Sequence, residues 1–444
     1  MKKKVLLFAR SFLCEYYGRI KTEIFEPIFV TMTVSEKKHL QDLGWKVYGC
    51  FEEQYSDLPI ASFSGDYLRT SFVSDRFLSR FPHEKRLEIL GKEISFWRKV
   101  FEEIKPDMLV NETVAIEMAE VMAIEAQSRN IPFYTSLLGF LPNTFYWKPD
   151  PFSGRLNDLT DVIPSESDYQ MAKDYINGVV EKNNRPFYVA NIKKHTFSLK
   201  TLFHAYQIKA DAKRKQRKME SESSFRYEDY SIFAEKGLEI CRSVRHFKYD
   251  TLKTIEGKNV LFYPMHLEPE ATLNYFVDEN YDQASLIRMI LCCMKNNQYL
   301  VVKEHPQQQG ALSLEKFREL KKSYSNLIYL PSYESSFEVL KHTDAVVTLT
   351  STVGWEALML GVPVFVLGKI FYDQCPGVTR ISGLKELKTA LRKPESIKPI
   401  ASETLTFTAK MVSLFHKGCP SPGHSDTIDD YCREIEQLAI QLEK

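Results

Sequence analysis

The chain has 444 residues, of which 44% are hydrophobic and 26% charged, and its formal net charge is +1. That length exceeds one ordinary core and makes two domains the expectation, while the near-balance of charge excludes a whole-surface attraction to nucleic acid. Eight cysteines with no Cys-x-x-Cys pair and no metal-like spacing read as reduced thiols of a cytoplasmic protein.

The opening Met1–Lys4 followed by Val5–Ala9 mimics a signal peptide, but the apolar run stops at Arg10 and reads instead as a first buried strand. A helix is expected through Ile20–Leu43, and a second strand over Lys46–Phe51. Residues 55–80 are loop-like. From His83 to Ile104, apolar residues at Leu87, Leu90, Ile94, Trp97 and Phe101 keep a helical period. Met108–Val110 is a third strand ending in Asn111–Glu112–Thr113, followed by a helix over Val114–Arg129 and a strand over Ile131–Tyr134. Strands alternating with helices at this spacing predict a doubly wound α/β sheet.

From about Pro149 to Asp250 the pattern is helical without a clear strand. Six of the ten residues in Lys209–Lys218 are basic. The plain reading is a solvated helical face in an insertion; the functional reading is contact with an anionic membrane surface or an acidic polysaccharide. No segment approaches the roughly 18 apolar residues of a membrane span, so membrane work would be done from the inner face.

The α/β rhythm restarts at Lys258. Strands are expected at Val260–Tyr263, Tyr299–Val302, Leu327–Leu330 and Val364–Gly368, with helices over Gln283–Lys295 and Leu314–Tyr324 between them. The expected division is 1–150 (an acceptor-side Rossmann-like domain), 151–250 (helical insertion), 251–400 (a second Rossmann-like domain) and 401–444 (terminal helices). Two such domains place the carboxyl ends of both sheets along a cleft, where open α/β sheets bind ligands.

Polar clusters fall at those strand ends. Asp344–Val347 leads into Thr348–Leu358, where a strand stops in Thr350, Ser351 and Thr352 and turns through Gly354 into a helix. Free backbone N–H groups and a helix dipole converge there, which suits a phosphate; an ordinary Ser/Thr cap is the plain alternative. Glu356, one turn on, can accept from a ribose diol or cap the helix. His266, Glu268 and Glu270 follow another strand, with Pro269 holding the backbone out of the α region. Lys303, His305 and Pro306 follow a third and can hold a phosphate or a leaving carboxylate. There is no G-x-x-x-x-G-K-[ST], no G-x-G-x-x-G and no Asp-x-Asp, so neither an ATPase, a dinucleotide cofactor nor a carboxylate-held metal is indicated.

The run strand–His-Pro, then Ser/Thr-Ser/Thr-x-Gly-x-Glu-Ala-Leu-x-x-Gly-x-Pro-Val, over about Lys258–Tyr372, resembles the bacterial capsular polysaccharide biosynthesis proteins of GT-B architecture. Those include Kdo transferases that build a lipid-linked primer. The His-Pro and Ser/Thr elements are also similar to those of bacterial sialyl- and polysialyltransferases. The resemblance implies a glycosyltransferase with a nucleotide-sugar donor, CMP-linked acidic sugar favoured, and a saccharide or lipid-linked acceptor. It places His305 and Pro306 at the nucleotide phosphate or ribose, Ser351 and Thr352 at the phosphate, and Glu356 at the ribose or nearby backbone. Glu112 and Glu270 are both candidates for the carboxylate that activates the acceptor hydroxyl, with His266 in the same catalytic group. After Phe371–Tyr372 the family often carries Trp-Gly, where this chain has Asp373–Gln374–Cys375–Pro376–Gly377. A sugar-nucleotide epimerase shares the two-domain layout, but its Gly-Thr-Arg-Pro-Glu signature is replaced by Phe8–Ala9–Arg10–Ser11. A polyol-phosphate transferase and a non-catalytic assembly or export partner are the other readings.

Overall fold

Runs of Val, Ile, Leu and Phe that are apolar on both sides form strands buried on both faces, and this chain has two sets of them. The computed structural model describes residues 2–182 and 247–442, apart from 69–71, 73, 74, 76, 77, 79, 80, 149, 269, 279–281 and 393–396, together with isolated residues between 200 and 214. The basic segment Lys209–Lys218 lies outside the described residues, Ala210 and Arg214 excepted, as does Pro269. The chain divides into two units. One is built up to Asn157 and again from Leu414 onward, the other by most of the chain from Asp158 to Ser413. Each is α/β with a largely parallel sheet.

In the first unit the strands are β1 (Lys3–Phe8), β2 (Phe25–Thr31), β3 (Val47–Cys50), β4 (Met108–Glu112), β5 (Phe133–Leu138) and β6 (Thr144–Lys148). Their order is β3-β2-β1-β4-β5-β6, all parallel except β6, which runs antiparallel to β5. The helix expected through Ile20–Leu43 is corrected. Phe12–Tyr17 and Val34–Asp42 are helical, and β2 lies between them. Pro27 is tolerated because β3 pairs only with Phe29–Thr31, so at Pro27 β2 has β1 alone beside it. The helix His83–Ile104 forms as read, burying Ile94, Trp97 and Phe101, and its Trp97 ring meets Phe8 edge-on at 5.2 Å.

In the second unit the strands are β7 (Asn259–Pro264), β8 (Gln298–Lys303), β9 (Leu327–Leu330), β10 (Ala345–Thr348), β11 (Val364–Val366) and β12 (Val378–Arg380). They form one parallel sheet in the order β9-β8-β7-β10-β11-β12. That is the doubly wound order in which the winding reverses between the first and fourth strands. Leu261, Val302, Leu312, Tyr329 and Val347 lie in one cluster beneath it.

The chain then returns to the first unit. The helix Ala401–Val412 belongs to the second unit, but β13 (His416–Lys417) pairs antiparallel with β6 and extends the first sheet. The helix Ile428–Gln441 carries Tyr431 and Ile435 into the core of Val5, Leu7, Tyr17 and Phe145.

Candidate functional site

In the second unit the strand order reverses between β7 and β10, and His266 and Thr350 stand just past their carboxyl ends. His266 is 3% exposed. Its Nε2 accepts the backbone N–H of Thr350 at 3.0 Å and lies 3.2 Å from Thr348 Oγ1. An acceptor at Nε2 puts the ring proton on Nδ1. Nδ1 has no hydrogen-bond partner among the described residues. Burial, helped by the charge of His305, holds the imidazolium form down to about 3, so the ring is a neutral donor at any physiological pH.

Gln283, the first residue of the helix Gln283–Cys293, fixes His266 in place. Its Oε1 accepts the backbone N–H of His266 at 2.7 Å and the hydroxyl of Tyr263 at 3.1 Å, while its Nε2 donates to His266 O at 3.0 Å. Nothing in the sequence marked this glutamine, because a polar residue opening an amphipathic helix looks like its solvated end.

The turn after β10 is held by its own hydroxyls. Thr348 Oγ1 accepts the N–H of Ser351 at 3.0 Å, and Ser351 Oγ accepts that of Val353 at 3.2 Å, capping the helix Thr352–Met359. The expected cap and the expected phosphate turn therefore coexist: several amides are already committed, and the first turn carries no acidic residue. Thr350 Oγ1 is buried without a hydrogen-bond partner among the described residues. Gly354 admits the Tyr372 ring, whose Cζ would lie 2.9 Å from an added Cβ, and the Tyr372 hydroxyl donates to Ser351 O. Gly368 is equally tight, since a Cβ there would sit 2.7 Å from Leu349 O. Glu356 is buried in the same helix, and Trp355 is fully buried against Phe371 and Tyr372.

Beyond β8, Lys303 is 4% exposed and His305 partly buried. Desolvation, then the Lys303 charge, holds the His305 imidazolium down to about 4. Its Nδ1 accepts the N–H of Gln307 at 3.1 Å, in the turn that Pro306 opens. The neighbouring Glu304 anchors this loop. It accepts from the Tyr249 hydroxyl at 2.7 Å and from the N–H groups of Gly310 and Leu312 at 3.1 and 2.9 Å; burial raises its carboxyl all the same. Glu268 is likewise raised by burial. Glu270 stands before the short helix Ala271–Tyr275 and makes no side-chain cap bond. A hollow of about 350 Å³ lined by Thr343, Asp344, Gly361 and Pro363 opens at the opposite, amino-terminal edge of this sheet.

Glu112 belongs to the other unit. It ends β4, beside β1, and pairs with Arg10 just past β1, with side chains 18% and 11% exposed. An ion pair thus fills the point where the first sheet's order reverses. Among the described residues no group of three or more His, Cys, Asp or Glu side chains is placed to hold a metal ion.

Residues 205–412 match the family model of capsule polysaccharide biosynthesis proteins, a span that contains Lys258–Tyr372. No curated protein matches the chain. Among solved structures the chain is similar to the Thermosulfurimonas dismutans KpsC beta Kdo 2,7 transferase, at 15% identity and a TM-score of 0.34, over 81% of this chain and 97% of that one. The beta Kdo 2,4 transferase of the same KpsC is similar at 13% identity and 0.35, over 77% and 93%. The UDP-GlcNAc 2-epimerase of Methanocaldococcus jannaschii is similar at 14% and 0.30, over 93% and 98%.

Proposed function

We propose that this protein is a glycosyltransferase of capsular or surface polysaccharide assembly, with its nucleotide-sugar donor, a CMP-linked acidic sugar, held by the second unit. One observation carries the reading. At the reversal point of the second sheet, the buried His266 Nδ1–H and the buried hydroxyl of Thr350 have no hydrogen-bond partner among the described residues, and the helix that begins at Thr352 has no acidic residue in its first turn. Groups of that kind fit a phosphate ester, whose oxygens accept and whose charge the helix dipole favours. Lys303 supplies the remaining charge, and the neutral His305 ring a further polar group. The match of residues 205–412 to capsule polysaccharide biosynthesis proteins supports the polysaccharide context.

In the proposed reaction the bond between the anomeric carbon and the donor phosphate breaks, and the acceptor oxygen takes the phosphate's place. The acceptor proton passes to a carboxylate, and the nucleotide leaves as its phosphate. We favour Glu270 for the carboxylate, because it lies four residues after His266 in the same unit as the proposed donor site. His266, already neutral, donates to the departing phosphate without changing its own protonation. No helix among the described residues is long and apolar enough to cross a membrane; a lipid-linked acceptor would be met from the membrane surface, with Lys209–Lys218 at the anionic head groups.

A thermal-shift screen tests the donor. Stabilisation by CMP with no response to UMP, GDP or NAD is the expected result, and a response to uridine nucleotides alone overturns the choice of CMP. His305→Ala is expected to weaken both nucleotide binding and transfer; survival of both removes His305 from the site.

A further inference from the structure

The first unit carries a second set of polar groups that the donor site does not use. Asn111 on β4 is the register partner of Thr135 on β5, and Thr135 is the register partner of Lys148 on β6. Partners in adjacent strands point to the same face, so the three form a row across the sheet, near the end of β4 and midway along β5. The row lies on the face opposite Tyr431, because Val110, the residue before Asn111, belongs to the Tyr431 cluster.

All three are buried: Asn111 is 1% exposed, Thr135 0% and Lys148 2%. Buried polar side chains are nearly always paired, yet both amide atoms of Asn111 and the hydroxyl of Thr135 have no partner among the described residues. Leaving an amide in that state costs stability that a bound polar ligand can recover. Lys148 donates to Thr113 Oγ1 at 2.9 Å and to Ser153 O at 2.7 Å, tying the segments that follow β4 and β6 to the end of the row.

We propose that Asn111 and Thr135, closed off by Lys148, form a subsite for one neutral sugar residue of the saccharide acceptor. The amide offers a donor and an acceptor side by side, which is the complement of a vicinal diol, and the hydroxyl serves a third position. Neutrality follows from the surroundings. Burial lowers the Lys148 amine to about 7, so near neutral pH it is only partly charged and brings less positive charge than an ordinary lysine, and the nearby charge of Arg10 is met by Glu112. That the ligand is a saccharide rests on the transferase reading; that a polar ligand completes the row does not.

The experiment is saturation-transfer NMR on the full chain, using the methyl glycosides of glucose, galactose, mannose and glucuronic acid, with CMP as an internal control. At least one neutral glycoside is expected to show transfer. Asn111→Leu, which keeps the branched shape at a larger volume, and Thr135→Val, close in volume to the residue replaced, are each expected to weaken that binding by roughly fivefold or more, the loss of at least one hydrogen bond, with the CMP signal unchanged. Asn111→Leu is also expected to raise the melting temperature, because it removes a buried unpaired amide. No transfer from any neutral glycoside, transfer from the glucuronide alone, or signals untouched in both variants overturns the subsite. Glycoside binding without CMP binding leaves it standing and removes the CMP-linked donor instead.

Discussion

The two sheets reverse their strand order at equivalent places, between β1 and β4 in one unit and β7 and β10 in the other, and they treat that place in opposite ways. In the second unit the polar groups hold one another: Gln283 holds His266, His266 holds Thr350, and Thr348 holds Ser351. Within that network, one atom each of His266 and Thr350 is left over among the described residues. In the first unit the reversal point itself is occupied by the Arg10–Glu112 pair, and the neighbouring row leaves a whole amide and a hydroxyl unmatched. A preformed network costs little when a phosphate arrives, since its donors are already aimed. An unmatched amide destabilises the free protein and recovers that loss only on binding.

The largest effect should come from overfilling the tighter side. Gly368→Ala puts a methyl 2.6 Å from Thr350 Cγ2 and 2.7 Å from Leu349 O; a loss of about 3 kcal/mol is expected, read as a lower unfolding midpoint together with weaker CMP binding. An unchanged midpoint would show that the turn is not the rigid partner in the comparison. Next, Gln283→Leu strands the backbone N–H and C=O of His266 and the Tyr263 hydroxyl, and should cost about 2–3 kcal/mol. Asn111→Leu makes the same kind of change in the other unit and should have the opposite sign, a gain of about 1 kcal/mol. If both substitutions destabilise, the contrast between the two edges collapses.

The edges should also titrate in different windows. His266 and His305 stay neutral in the folded chain down to about 3 and 4, while the unfolded chain protonates them near 6.5. The unfolded state therefore binds more protons, and their contribution to stability falls as pH drops from about 6.5 to 4. Lys148 has a folded value of about 7 against about 10.4 unfolded. Its contribution falls as pH drops from about 10 to 7 and is flat below. Melting temperature against pH should lose its alkaline slope in Lys148→Met and part of its acidic slope in His266→Gln. The smallest effect belongs to the pair Lys316–Asp282, with side chains 42% and 45% exposed: Lys316→Ala should change stability by no more than about 0.5 kcal/mol.

Much of the second unit was legible because β7 to β10 are apolar runs bounded by polar residues, and the strand ends could be read off directly. β2 was not, because Phe25, Ile28 and Phe29 are spaced like one face of a helix and Pro27 argues against a central strand. Only the short reach of β3 explains it. β6 is a strand of three aromatics, Phe145 to Trp147, between Thr144 and Lys148, and has no apolar alternation to announce it. Asn111 could be seen as a strand-end residue, but its place beside Thr135 and Lys148 depends on register, which the sequence does not display. Gln283 was hidden for a different reason: its partners are mostly backbone groups, which carry no residue identity.

The return of the chain after Ser413 has a consequence for how the protein is made. The Tyr16 hydroxyl lies 3.1 Å from Thr427 Oγ1, and the Ser136 hydroxyl 3.1 Å from that of Tyr431. During synthesis everything the second sheet needs has emerged before β13 and the helix Ile428–Gln441 appear. The first sheet begins first and finishes last, keeping the β6 edge and the Tyr17–Phe145 surface open while more than half of the protein is translated. Contacts of such long sequence separation are slow to close, and an open strand edge is the part of a nascent chain most exposed to wrong pairing. Arrival of β13 and the helix Ile428–Gln441, rather than completion of β1 to β6, is the event that seals the first unit.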